Sequence, residues 1–125
     1  MKIVLDTNFL LLPANLKVDI FAEIEKIMDE KYELVTIHPV SRELRGLARG
    51  KGKDAVAAKV GLQLLEKKKV KVLDIEEWDA DKAILKMAEK ENIIVCTLDM
   101  ELRKKILEMG RKTIYLRAKK HLILG

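Results

Sequence analysis

Apolar residues in this chain fall into two alternating rhythms, short unbroken runs and stretches with a three-to-four-residue repeat. Ile3 to Leu5 reads as a short buried strand, with Asp6-Thr7-Asn8 as the turn after it. Asp19 is a candidate cap for a helix carrying Ile20, Phe21, Ile24, Ile27 and Met28 on one face. Glu33 to His38 is rich in β-formers and stops at Pro39. Val40-Ser41-Arg42-Glu43-Leu44 then opens a short helix, with Ser41 as candidate cap, that ends at the Gly50-Lys51-Gly52 break. Asp54 to Lys68 is a second helical stretch, with Val56, Val60 and Leu64 at four-residue spacing. Lys69 to Leu73 alternates like a strand, and Asp79 to Glu91 is helical with Ile84, Leu85, Met87 and Ala88 inward. Ile93 to Thr97 is a continuous apolar strand, expected to be buried on both faces. Glu101 to Met109 is helical and stops at Gly110. Thr113 to Leu116 is the last strand, and a basic tail, Arg117 to His121, leads into Leu122-Ile123-Leu124.

Strands alternating with helices predict an α/β fold, a layered sandwich in which helices cover both faces of a mostly parallel sheet. At 125 residues the chain is expected to form one domain, 1–125, with a core that needs no staples. No apolar run approaches the ~20 residues that span a bilayer, and no leader is apparent, so a soluble, cytoplasmic protein is expected. Gly50 to Lys53 is the one candidate for a mobile loop. Leu10, Leu11, Leu12 and Leu16 are dense for a segment just after a turn, and fit either an interface with a second copy or a local core cluster. Cys96 is the only cysteine, which rules out an internal disulfide, and its apolar strand favours a core role. One cysteine with His38 and His121 far apart leaves no zinc site.

Charge is distributed in blocks. The segments 1–40, 41–71, 72–100 and 101–125 carry −3, +7, −5 and +6, within a net charge of +5. Basic blocks beside acidic ones suit a polyanion held against a metal site, although solvated helix faces give the same pattern. Aromatics are scarce at 4%, which argues against base stacking as a main binding mode.

Four acids, Asp6, Glu43, Asp81 and Asp99, sit where predicted strands or helices begin or end. Asp6 and Asp99 each follow an apolar strand, and the carboxyl ends of strands are where open α/β sheets place ligands. Phosphodiester hydrolysis needs a deprotonated water and compensation for charge on the pentavalent centre. Two Mg²⁺ or Mn²⁺ ions about 3.5–4 Å apart supply both, through oxygen ligands. Asp6 is the firmest candidate, with Asn8 and Thr97 placed to orient a carboxylate or a water. Glu43 falls in the expected first turn of its helix, where the helix dipole favours an acid in any case. Arg42 and Arg45 flank it as phosphate ligands or solvated side chains. Asp79 and Asp81 compete for the next helix start, and local physics does not choose between them. No glycine-rich phosphate loop is present, and neither histidine belongs to a nucleophile-elbow arrangement.

Taken in order, Val4-Leu5-Asp6-Thr7-Asn8, Val40-Ser41-Arg42-Glu43-Leu44, Ala80-Asp81-Lys82-Ala83-Ile84 and Val95 through Arg103 resemble the PIN domain family of small metal-dependent nucleases. The resemblance spans nearly the whole chain and selects Asp81 over Asp79. It implies a sheet of about five strands between helices, with the four acids meeting in a central groove. There Asp6, Glu43, Asp81 and Asp99 would bind Mg²⁺ or Mn²⁺ and activate water, supported by Asn8 and Thr97. It implies an endoribonuclease hydrolysing RNA phosphodiester bonds. Arg42, Arg45, Arg49, Lys51 and Lys53, or Arg103, Lys104 and Lys105, would hold flanking phosphates. Thr113 to Arg117 with its basic tail is similar to a branch that processes small-subunit ribosomal RNA. Many free-standing PIN domains of this size are instead toxins restrained by an antitoxin. A third expectation is a non-catalytic RNA-binding assembly factor with a ribosome-assembly partner. Homodimers are common in the family.

Overall fold

In the computed structural model, which describes residues 1–125, strands and helices alternate from the first residues onward. The chain runs β1 (Lys2–Leu5), α1 (Thr7–Leu10), α2 (Leu12–Asn15), α3 (Ile20–Ile27), β2 (Glu33–Ile37), α4 (His38–Ala48) and α5 (Lys53–Lys67). It continues with β3 (Lys71–Leu73), α6 (Ala80–Lys90), β4 (Ile93–Cys96), α7 (Met100–Glu108), β5 (Lys112–Arg117) and β6 (His121–Leu124). The six strands form one sheet in the order β3-β2-β1-β4-β5-β6, parallel except for the antiparallel β5–β6 pair. Strand order reverses between β1 and β4, so the crevice beyond their carboxyl ends is a topological switch point. No helix is long and apolar enough to cross a membrane.

Ile3, Val4 and Leu5 of β1 and Ile93, Ile94, Val95 and Cys96 of β4 are all buried, as strands covered on both faces must be. They lie within one contiguous core that also takes Phe9, Leu10, Ile20, Ile24, Ile37, Leu44, Ile84 and Ile106. Cys96 belongs to this core, and burial pushes its thiol well above the ordinary range, followed in weight by the charge of Asp6.

Several local expectations are corrected. Asp6-Thr7-Asn8 is not an open turn, because Asp6 caps α1, which begins at Thr7. Helix α4 begins at His38, with Pro39 in its first turn where a missing N–H costs nothing. Ser41 is therefore inside the helix, accepting from Arg45 Nη1 at 3.1 Å, and Glu43 lies beyond the first turn. The stripe Val56, Val60, Leu64 is not the buried face of α5. Val56 is 58% exposed, while Ala55, Ala57, Ala58, Gly61 and Leu65 are buried. Small residues let the α5 backbone close on its neighbours, which a valine stripe would hold apart. Leu10 and Leu12 belong to the core and Leu11 packs against it, so the cluster serves mainly the local core, and of the four leucines only Leu16 is exposed. The segment 50–52 is a short connection between helices, in which Gly52 takes φ 93° before α5.

The sheet also has a sixth strand. The basic tail forms the turn of a β5–β6 hairpin, closed by Lys120 N–H donating to Arg117 C=O at 3.2 Å. Ala118 and Lys119 both take positive φ, 54° and 58°, as the turn types that match strand twist require.

Of the glycines, Gly61 is the one most closely approached. A Cβ there would stand 2.9 Å from the backbone carbonyl oxygen of Leu10, whereas one at Gly46 of α4 meets nothing within 4 Å. Both positions would gain the ~1 kcal/mol of helix propensity that separates alanine from glycine. At Gly61 overpacking of ~1–3 kcal/mol opposes that gain. Denaturant unfolding should therefore show Gly46→Ala more stable than the parent and Gly61→Ala no more stable or less. Equal stabilisation by both would contradict the packing described.

Candidate active site

Register builds the centre of the site. Leu5 pairs with Cys96, so Asp6 and Thr97 leave the sheet side by side. Asp6 is only 4% exposed. Its Oδ1 accepts from Thr7 N–H at 2.8 Å and its Oδ2 accepts from Thr97 Oγ1 at 2.7 Å. The Thr97 hydroxyl in turn accepts from Asp99 N–H at 3.1 Å. Asn8 Oδ1 accepts from Leu98 N–H at 3.0 Å, tying the segment after β1 to the segment after β4. Asp99 caps α7, accepting from the N–H groups of Glu101 and Leu102 through one oxygen. Thr36 Oγ1 donates to Leu5 C=O at 2.6 Å and braces the strand on its other side.

Glu43 on α4 and Asp81 in the first turn of α6 approach from the flanking helices. Both are exposed and line one cleft with Pro39, Arg42, Trp78, Asp79 and Ala80. Asp79 and Asp81 take different positions here. Asp79 is the helix cap, accepting from Lys82 N–H at 3.2 Å, while Asp81 feels the charges of Asp6 and Asp99.

Electrostatics connect the four acids. Burial raises the Asp6 pKa above 3.8, the Thr97 and Thr7 hydrogen bonds oppose it, and the charges of Glu43 and Asp99 add to the rise. Asp81 is raised by partial burial first and then by Asp6, Asp99 and Asp79, with Lys105 pulling the other way. None of the ion pairs in the molecule involves any of the four acids. Uncompensated carboxylates of this kind suit a hard cation with oxygen ligands. No three His, Cys, Asp or Glu side chains form a ready-made cage. The four acids are thus not drawn into one cage as the resemblance implies, and an ion held by one or two of them would have to complete its shell with water, as Mg²⁺ does. Thr7 Oγ1, adjoining Asp6, is buried with no protein partner, a second group in want of a ligand or a water.

The basic candidates are placed unevenly. Lys105 is near enough to Asp81 to influence it, and Lys104 and Lys105 are exposed on α7. Arg45, Arg49, Lys51 and Lys53 are exposed along the end of α4 and the start of α5. Arg103 is instead turned to β5, donating to Thr113 Oγ1 at 3.1 Å and covering the Tyr115 ring at 4.0 Å. Arg42 is held against Trp78 and His38. Sequence reasoning missed Trp78 as part of this cleft and His38 as a partner of Arg42. The available signal was that the only tryptophan of the chain directly precedes Asp79.

Residues 3–119 match the family described as PIN like domain. The chain belongs to this family. The ribonuclease VapC4 of Methanocaldococcus jannaschii is 40% identical over 124 residues, covering 96% of this chain and 93% of that protein. The ribonuclease VapC9 of Archaeoglobus fulgidus is 32% identical over 122 residues, covering 97% and 87%. Among solved structures, the PIN domain endonuclease Utp24 matches with a TM-score of 0.79 at 18% identity, over 98% of this chain and 90% of that one. At that identity the likeness speaks for the PIN fold, which the sheet and its flanking helices share.

The raised carboxylates make a pH prediction for metal-free protein. As pH rises, unfolded chains release the Asp6 and Asp81 protons before the folded protein does. Their contribution to stability is thus full below about pH 3.8 and is lost as pH climbs through the higher folded values. Asp6→Asn removes the Asp6 share of that loss. In chelator, the Tm of the variant relative to wild type should increase from about pH 3.5 to about pH 7. A difference that shrinks over this range would contradict the burial assigned to Asp6.

Proposed function

We infer that this protein is a metal-dependent endoribonuclease whose active site is the cluster of Asp6, Glu43, Asp81 and Asp99. The observation that carries this reading is the buried, ion-pair-free Asp6 at the sheet's switch point, with three further acids acting on it or on each other. Both curated relatives are named ribonucleases and align over nearly the whole chain, which supports RNA as the substrate.

The side chains divide the work. Asp6, fixed at both oxygens by Thr7 and Thr97, would hold Mg²⁺ or Mn²⁺ together with Asp99, Asp81 and Glu43. When bound, such an ion supplies acidification of the attacking water and compensation for charge building on the phosphoryl group. Thr97 orients Asp6 by donating its hydroxyl proton to Oδ2, and the bond opposes the rise that burial imposes on the Asp6 pKa. Asn8 locks the two strand ends at a common level. Lys105 and Lys104 on one side, and Arg45, Arg49, Lys51 and Lys53 on the other, offer positive charge to the flanking phosphates.

The biological role is better read as a toxin-type ribonuclease, with an antitoxin as partner, than as ribosomal RNA processing. Both curated relatives carry VapC names, which favours that class. The features that suggested rRNA processing have a structural account of their own, since Thr113 to Arg117 lie in β5 and the basic tail is a hairpin turn. A non-catalytic assembly factor fits less well, because all four acids are retained without cationic partners.

Cleavage of a single-stranded RNA in Mn²⁺ tests the reading. Asp6→Asn and Asp99→Asn should lose activity by about 100-fold or more while keeping their circular dichroism, and Thr97→Val should lose about 10- to 100-fold. Full metal-dependent activity in both acid variants would sink the mechanism.

A further inference from the structure

Trp78 is the only tryptophan of the chain and stands 75% exposed in the cleft that Glu43 and Asp81 line. It is held in place despite that exposure. The guanidinium carbon of Arg42 lies 3.6 Å from the ring centroid, Arg42 Nη2 donates to Trp78 C=O at 3.0 Å, and Arg42 Nη1 donates to His38 Nδ1 at 3.2 Å. Arginine is donor-only, so His38 accepts through Nδ1 and carries its proton on Nε2. Arg42 therefore directs its charge to a ring face, a carbonyl and an imidazole, although Glu43, Asp79 and Asp81 line the same cleft. One face of the indole is covered by the guanidinium, and the exposure of the residue leaves the other open.

We propose that Trp78, backed by Arg42, is a stacking platform for one nucleobase of a single-stranded RNA bound across Glu43 and Asp81. This rests on the ribonuclease reading and adds to it the means by which a base is held beside the acids. A protein partner is less well suited to the spot. Pro39 and Ala80 are the only other hydrophobic side chains lining the cleft, and its remaining members are charged, so no apolar patch surrounds the ring. An indole face with a cation behind it fits a base instead, since every base presents a π-face and stacking tolerates any sequence. The scarcity of aromatics, which argues against stacking as a general binding mode, makes this single ring a local device. It would set where a nucleotide sits, while lysines and arginines supply the strength of phosphate binding.

Because the chain has one tryptophan, its emission reports on this site alone. A short single-stranded RNA added to the full chain in low-salt buffer with chelator should quench the emission saturably. An abasic ribose–phosphate strand of the same length should quench little and bind more weakly. Trp78→Ala should weaken RNA binding by about 5- to 150-fold, the range expected for one stacked base, and Trp78→Phe should restore most of it. In Mn²⁺ the alanine variant should raise KM more than it lowers kcat. Unchanged RNA affinity in a folded Trp78→Ala variant, or equal quenching by the abasic strand, would overturn the proposal. So would emission that responds to a protein partner and not to RNA. Binding is read without metal, so these outcomes judge the platform, whereas cleavage by the acid variants judges the nuclease site.

Discussion

The parallel pairing of β1 with β4 is the constraint on which the rest of the site depends. Leu5 opposite Cys96 makes the next residues of both strands neighbours, and these are Asp6 and Thr97. The bond from Thr97 Oγ1 to Asp6 Oδ2 then fixes a carboxylate in a place that excludes water on most sides. A one-residue slip would exchange the side chains that each strand presents to the two helix layers and part Asp6 from Thr97, so the register that fills the core also sets these two residues side by side. The core and the site are thus products of the same pairing, and neither can shift without the other.

This arrangement sets local cost against function. Asp6 is buried without a cation, and Thr7 Oγ1 beside it is buried without a partner. Either feature alone is unfavourable, since burial disfavours the charged form of Asp6 and a buried polar group left unpaired, as the Thr7 hydroxyl is, costs about 1–3 kcal/mol. The 25 lysines and arginines of the chain could have supplied a partner, yet the recorded ion pairs lie elsewhere and mostly on the surface. Arg42 lies in the acidic cleft and still turns its charge to Trp78 and His38. Keeping basic groups off the acids leaves the carboxylates free for an added cation, which is the property a metal-dependent site needs.

Much of the fold was legible because the strongest signals are periodic. The unbroken runs Ile3 to Leu5 and Ile93 to Cys96 mark strands covered on both faces, and the helix of Ile20, Phe21 and Ile24 shows its stripe directly. The features that escaped are those in which tertiary packing outweighs local pattern. Val56, Val60 and Leu64 form the more apolar stripe of α5, but Ala55, Ala58 and Gly61 permit close approach to the rest of the molecule. The sixth strand was hidden because its turn uses Ala118 and Lys119 at positive φ, where asparagine or glycine would announce a hairpin. Within the candidate site, Asp6 and Asp99 stand out as strand-end acids, whereas local pattern gave no preference between Asp81 and Asp79, the latter being the residue that caps α6. Trp78 lay outside any periodic element and gave no pattern to follow.

The central claim is that these carboxylates serve as one divalent-cation site. A crystal structure of the full chain soaked in Mn²⁺ addresses it most directly through anomalous scattering. The account predicts an anomalous peak at a metal–oxygen distance of about 2.1 Å from an Asp6 oxygen, shared with Asp99 or Asp81. Well-ordered crystals at saturating Mn²⁺ with no peak at Asp6, or with manganese bound only elsewhere on the surface, would contradict it.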